Sequence, residues 1–146
     1  MTKINSIFMV GNLEDAENPE AQQKAKIFAV LKCTDARFGD GSSGKKLPFH
    51  EEYLNLAFAD DGSCPDNGWE QAKSWLVAVE KAAKVKKATV LVCSDTGTGK
   101  APRLVACHLS GWSSTGYAKA MKKMPKALKV KAMPSFEAAL ARMLKK

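Results

Sequence analysis

Along the chain, short and nearly unbroken apolar runs alternate with longer stretches whose apolar residues return every three or four positions. The first kind reads as strand, because a strand covered on both faces has no polar side to show. Three segments qualify: SIFMVGN (6–12), closed by the turn signal Gly11-Asn12, IFAVLKC (27–33) and ATVLVCS (88–94), while EYLNLAFA (52–59) reads as strand by its alternation. The second kind reads as helix. DAENPEAQQKAKI takes Asp15 or Asn18 as its cap, with Pro19 at the first helical position. Asn67, three residues ahead of Glu70, opens a helix whose Trp69, Ala72, Leu76, Val79 and Ala83 share a face. PRLVACHLSG opens at Pro102 and stops at Gly111, TGYAKAMKKMP ends near Pro125, and PSFEAALARMLKK is amphipathic with Ser135 as cap. Segments 34–48 and 60–68, rich in Gly, Ser and Asp, are loops. Strands interleaved with helices, then helices alone, predict an α/β fold: a central sheet flanked by helices, in one domain over 1–146.

Composition narrows this. At 146 residues and 45% hydrophobic, the chain can bury one sizeable core. No apolar run reaches the ~20 residues that cross a bilayer, and the opening MTKINSIFMVGN lacks the pattern of a secretory signal. Cys33, Cys64, Cys93 and Cys107 are too scattered, and His50 and His108 too few, for a zinc site. These cysteines read as reduced thiols of a cytoplasmic protein. The net charge of +8 is lopsided: 8 basic and 13 acidic residues through Glu80, then 15 basic and 2 acidic. The second half is a cationic field suited to an anionic partner. RNA or an acidic protein would fit it, although the tryptophans do not alternate with basic residues as a base-stacking platform requires.

The chemistry concentrates in VLVCSDTGTGKAPRLVACHL (90–109). A buried strand ends in a glycine-bearing loop and a helix follows, which places the loop at the carboxyl edge of the sheet. Successive amides turned inward there form an anion nest, and the helix terminus adds positive potential. A nucleoside-triphosphate loop fits poorly. Ser94 stands where its first glycine belongs, and Ala101 stands where a hydroxyl would hold magnesium.

A different spacing fits better. Ser94-Asp95-Thr96-Gly97-Thr98-Gly99-Lys100 has the layout Cys-x-x-Gly-x-x-Arg, with Ser for Cys and Lys for Arg. YLNLAFADDGSCPD is similar to a Tyr-x-x-Ile-Pro-x-x-Asp segment, in which Tyr53 and Leu56 lead to Asp60. IFMVGNLEDAENPE is similar to a Leu-x-x-Gly-x opening, and MPSFEAALARM to an Asn-Pro-x-Phe helix start. Together these resemble the dual-specificity members of the cysteine-dependent protein tyrosine phosphatases, over roughly residues 6 to 144. The resemblance implies their compact fold, with Ser94 at the nucleophile position, Asp60 at the general-acid position and Lys100 at the arginine position. It implies that residues 94–100 hold phosphate, sulfate or a phosphorylated protein or small molecule, without metal or other cofactor.

The departures predict a catalytically impaired protein. A phosphate loop can ionise a thiol, but it cannot ionise a serine hydroxyl near neutral pH. Lys100 brings a point charge and no planar fork. Ala101 replaces a hydroxyl that helps the thiolate leave, and Cys93 stands in place of a loop-supporting histidine. Cys93 as nucleophile, one residue early, would leave Gly99 where the cation belongs. An active enzyme carrying a Cys-to-Ser change at position 94 is the alternative, although it leaves Lys100 and Ala101 unexplained. Of the remaining polar residues, Asp61 is as well placed as Asp60, Asp66 reads as a helix cap, His108 as core, Trp112 as packing and Arg103 as a surface side chain.

Overall fold

A computed structural model describes residues 1–34, 47–64, 67–129 and 132–146. Five strands form one sheet in the order β1 (Thr2–Lys3), β2 (Phe8–Gly11), β5 (Thr89–Cys93), β3 (Ile27–Thr34), β4 (Glu52–Ala57). All neighbours run parallel except β1, which pairs antiparallel with β2. Phe8 to Gly11 of β2 lie opposite Val90 to Cys93 of β5, so Gly11 and Cys93 end side by side at the carboxyl edge. The four parallel strands are those expected from the sequence.

Alternate residues of β5 serve different cores, as the two-residue period of a strand dictates. Val90 and Val92 face the larger core, built with α3 (Gly68–Lys86), α4 (Lys100–Leu109), α5 (Ser114–Lys123) and α6 (Pro134–Met143). Leu91 and Cys93 face a smaller one, with Ile27, Val30 and Ala16 of α1 (Leu13–Ala16). The short α2 (Pro19–Lys24) follows α1, and a 3₁₀ turn (Lys126–Leu128) links α5 to α6.

Several helix ends differ from expectation. Asp15 and Asn18 do not compete for one cap: Asn12 and Asp15 form a reciprocal capping box on α1, and Asn18 caps α2 with Pro19 at its first position. Asn67 makes no side-chain cap on α3, because its backbone is left-handed (φ 55°) and turns the side chain away. Gly68 follows because a Cβ there would overlap Cys64 Sγ. Ser135 cannot cap α6, since Pro134 already occupies the first turn and Met133 precedes it. α4 begins at Lys100, two residues before Pro102. Asp66 lies outside the described residues.

Candidate phosphate-loop site

The loop from Ser94 to Gly99 joins the end of β5 to the start of α4. Ser94 N–H donates to Gly11 O (3.1 Å), which ties the loop's first residue to the end of β2. Gly97 has φ +74°, and a Cβ there would lie 2.9 Å from the Gly11 carbonyl carbon. Both the conformation and the close approach therefore require glycine. Among the described residues, the amides of Thr96, Gly97 and Gly99 meet no protein acceptor. Unsatisfied donors beside the amino terminus of a ten-residue helix are the elements of an anion nest.

Ser94 is 3% exposed, and its Oγ accepts from Ala101 N–H (3.2 Å). The helix terminus is thus aimed at the Ser94 hydroxyl. A thiol there would feel that field as a lowered pKa, whereas a hydroxyl starts too high to ionise. Neither histidine serves Ser94 as a base: His50 Nε2 meets Gln22 Oε1 (2.6 Å), and His108 Nε2 faces Glu80 (3.4 Å). The hollow among Ser94, Asp95, Thr96, Gly99, Lys100 and Met133 has a volume of about 10 Å³, room for roughly one water.

Lys100 is buried, and its ammonium crosses to the segment after β4. It donates to Phe58 O (2.5 Å) and pairs with Asp60 Oδ1 (3.2 Å). Asp60 and Asp61, equivalent in sequence, take different tasks. Asp61 Oδ1 accepts from the Ser63 amide (2.9 Å) and hydroxyl (2.5 Å) within the turn, and these bonds hold its carboxyl below the usual range. The structure brings Ser94, Lys100 and Asp60 to one end of the sheet. Cys93 is fully buried in the smaller core, where burial pushes its thiol pKa well up, so it cannot supply a thiolate to this loop.

Arg103 is not the surface side chain expected from sequence. It is 6% exposed; its Nε donates to Glu137 Oε1 of α6 (2.6 Å), and Nη1 to Gly99 O (2.9 Å) and Thr98 O (3.3 Å). Glu137 Oε1 also accepts from Tyr117 of α5 (2.7 Å). A signal existed: Glu137 is one of only two acids after residue 80, and Arg103 stands one turn from Lys100 in an otherwise apolar helix. His108 packs edge-on against Phe8 and Trp112 against Trp69, both within the aromatic and apolar interior as expected. Among the described residues, no group of three or more His, Cys, Asp or Glu side chains converges to hold a metal, and no helix is long and apolar enough to cross a membrane.

No protein-family model matches the chain, and no curated protein matches it in sequence. Solved structures do match. Human DUSP28 aligns over 97% of this chain and 90% of its own, with TM-score 0.69 and 18% identity. The human tyrosine phosphatase-like serine/threonine/tyrosine-interacting protein aligns over 97% and 93%, with TM-score 0.69 and 15% identity. A mouse "putative dual specificity phosphatase complexed with zinc tungstate" aligns over 97% and 84%, with TM-score 0.68 and 14% identity. At such identities the likeness is one of architecture. The five-stranded sheet and its flanking helices make this chain a bearer of the compact dual-specificity phosphatase fold.

Proposed function

We propose that residues 94–100 bind a tetrahedral phosphate, free or carried by a phosphorylated ligand, and that the chain hydrolyses phosphate monoesters at most very slowly. The observation that carries this reading is the pairing of a Ser94 Oγ held by the Ala101 amide with a Lys100 ammonium engaged at Phe58 O and Asp60. The acceptor-free amides supply the binding half. The tungstate held by the mouse phosphatase is an oxyanion of the same shape.

In this reading the loop amides cradle the oxyanion and the α4 terminus offsets its charge. A phosphate is larger than the present hollow, so its entry moves the Met133 wall or lifts Lys100 from Asp60. Were hydrolysis to proceed, Asp60 would protonate the leaving oxygen while the group at position 94 attacked phosphorus. With serine there is no ionised nucleophile. With lysine there is no fork across the equatorial oxygens, a loss on the order of 10²–10³ in rate for a comparable transition-state donor.

An aryl phosphate assay tests this on the chain and on Ser94→Cys, Lys100→Arg and the double variant, beside tungstate titration by calorimetry. Tungstate should bind the unmodified chain while turnover stays at background, and activity should emerge in the double variant. Robust turnover by the unmodified chain would overturn the impairment, and absence of tungstate binding would overturn the pocket. Full recovery in Ser94→Cys alone would favour the alternative, an active phosphatase with a changed nucleophile.

One observation favours a second reading, an interaction module. A groove of about 350 Å³ has Ile4, Leu109 and Met124 as apolar lining and Lys119 and Lys123 on its rim. Among the described residues neither lysine pairs with a carboxylate. An acidic peptide with an apolar anchor matches that chemistry.

A further inference from the structure

We propose that Arg103 is a positioning residue of the phosphate loop: its guanidinium, set behind the loop, orients and polarises the Gly99 and Lys100 amides for an oxyanion. The inference rests on the reading of 94–100 as a phosphate site and adds how that site is held in shape.

The geometry follows from the peptide unit. In a trans peptide the carbonyl and the next N–H point in opposite directions. Thr98 O shares its plane with Gly99 N–H, and Gly99 O shares its plane with Lys100 N–H. Arg103 Nη1 draws both oxygens to itself, at 3.3 and 2.9 Å. Both N–H groups are therefore turned to the other side. Gly99 and Lys100 line the hollow and Arg103 is not among its walls, which fits N–H groups turned toward it and away from the guanidinium. Hydrogen bonds from the guanidinium to the two oxygens also strengthen the partner N–H groups as donors, since hydrogen bonds in series polarise one another.

The fork is itself fixed. Glu137 Oε1 takes Arg103 Nε at 2.6 Å and the Tyr117 hydroxyl at 2.7 Å, so α5 and α6 together set the guanidinium plane. Burial, together with the Glu137 hydrogen bond, pushes the Tyr117 pKa well up, so its hydroxyl stays a donor throughout the neutral range. The loop thus gains a guanidinium from beneath while the cation at its end is spent on Asp60. Such an arrangement favours holding an anion over transferring one, because charge behind the loop acts on ground state and transition state alike.

Tungstate titration of the full chain separates this from the reading beneath it. Binding by the unmodified chain tests the site; the variants test Arg103. Arg103→Met should weaken tungstate at least tenfold, Arg103→Lys should recover only part of that because an ammonium cannot serve Glu137 and both carbonyls in one plane, and Tyr117→Phe should weaken it two- to threefold. In amide NMR without ligand, the Gly99 and Lys100 resonances should move in Arg103→Lys while those of Ala106 to Leu109 stay. That readout remains decisive if tungstate does not bind. Should Arg103→Met fail to fold, Arg103→Lys carries both measurements. Unchanged tungstate affinity in folded Arg103→Lys and Arg103→Met, or unmoved Gly99 and Lys100 resonances, would overturn the proposal.

Discussion

Four thiols in one small chain differ in what surrounds them. Cys33, Cys93 and Cys107 are buried, and burial raises the pKa of all three. Cys33 also spends its S–H on Cys93 O (3.0 Å) across the sheet. Cys64, beside Gly68 at the head of α3, is half-buried. Alkylation needs both access and thiolate. Native chain treated with iodoacetamide at pH 8 should therefore carry a single label, at Cys64, and denatured chain four, counted by mass spectrometry. Labelling of folded chain at Cys93 would mean that the thiol before the loop is reachable after all, and Cys93 would return as a candidate nucleophile. Sequence alone left that choice open, because residue spacing does not state which sheet face a side chain takes. The β5 period decides it.

Backbone conformation matters in the same way for whole elements. α3 is capped by Lys87, whose φ of 53° and ψ of 47° are left-handed and whose N–H closes the helix on Ala83 O. A Cβ in that region costs ~1–2 kcal/mol, partly offset by the extra freedom glycine has when unfolded. Lys87→Gly should stabilise the chain by roughly 0.5–1 kcal/mol, a rise of a few degrees in melting temperature. Lys84→Gly, an exposed site inside the same helix, should cost ~1 kcal/mol. The same substitution thus has opposite signs three residues apart, and a loss at both positions would deny the left-handed cap. The sequence offered a lysine run there and no glycine, so the stop was legible only as charge. The short pieces were illegible for a related reason. β1 is two polar residues long, and α1 is a single turn held by the Asn12–Asp15 box, too short for any periodicity. β2, β3 and β5, by contrast, are buried along most of their length, and their apolar runs announced them, whereas the half-exposed edge strand β4 showed only as an alternation.

Over the whole molecule, what could be read in advance was what is contiguous. The seven-residue loop was visible because all its parts lie together in sequence. The Arg103–Glu137–Tyr117 brace was not, since it exists only where α4, α5 and α6 meet, 34 residues apart for its tightest bond. Charge distribution was legible as an imbalance, but only the fold separates it into places. Lys100 opens α4 and Leu109 closes it, so the loop and the lysine-rimmed groove stand at opposite ends of a helix roughly 15 Å long. That distance exceeds the ~8–10 Å over which salt screens exposed charges at physiological strength. The two sites should therefore respond independently. A fluorescein-labelled peptide carrying leucine anchors flanked by glutamates should bind the unmodified chain, more weakly as salt rises, and lose at least tenfold in affinity in the double variant Lys119→Glu, Lys123→Glu. Tungstate titration of that variant should match the unmodified chain within about twofold, because its new carboxylates lie beyond the screening distance from Gly97. If the peptide binds the variant undiminished, the groove is not its seat. If tungstate affinity falls in step with peptide affinity, the second half of the chain acts as one undivided field, and the phosphate loop owes its anion preference to that field rather than to its own amides.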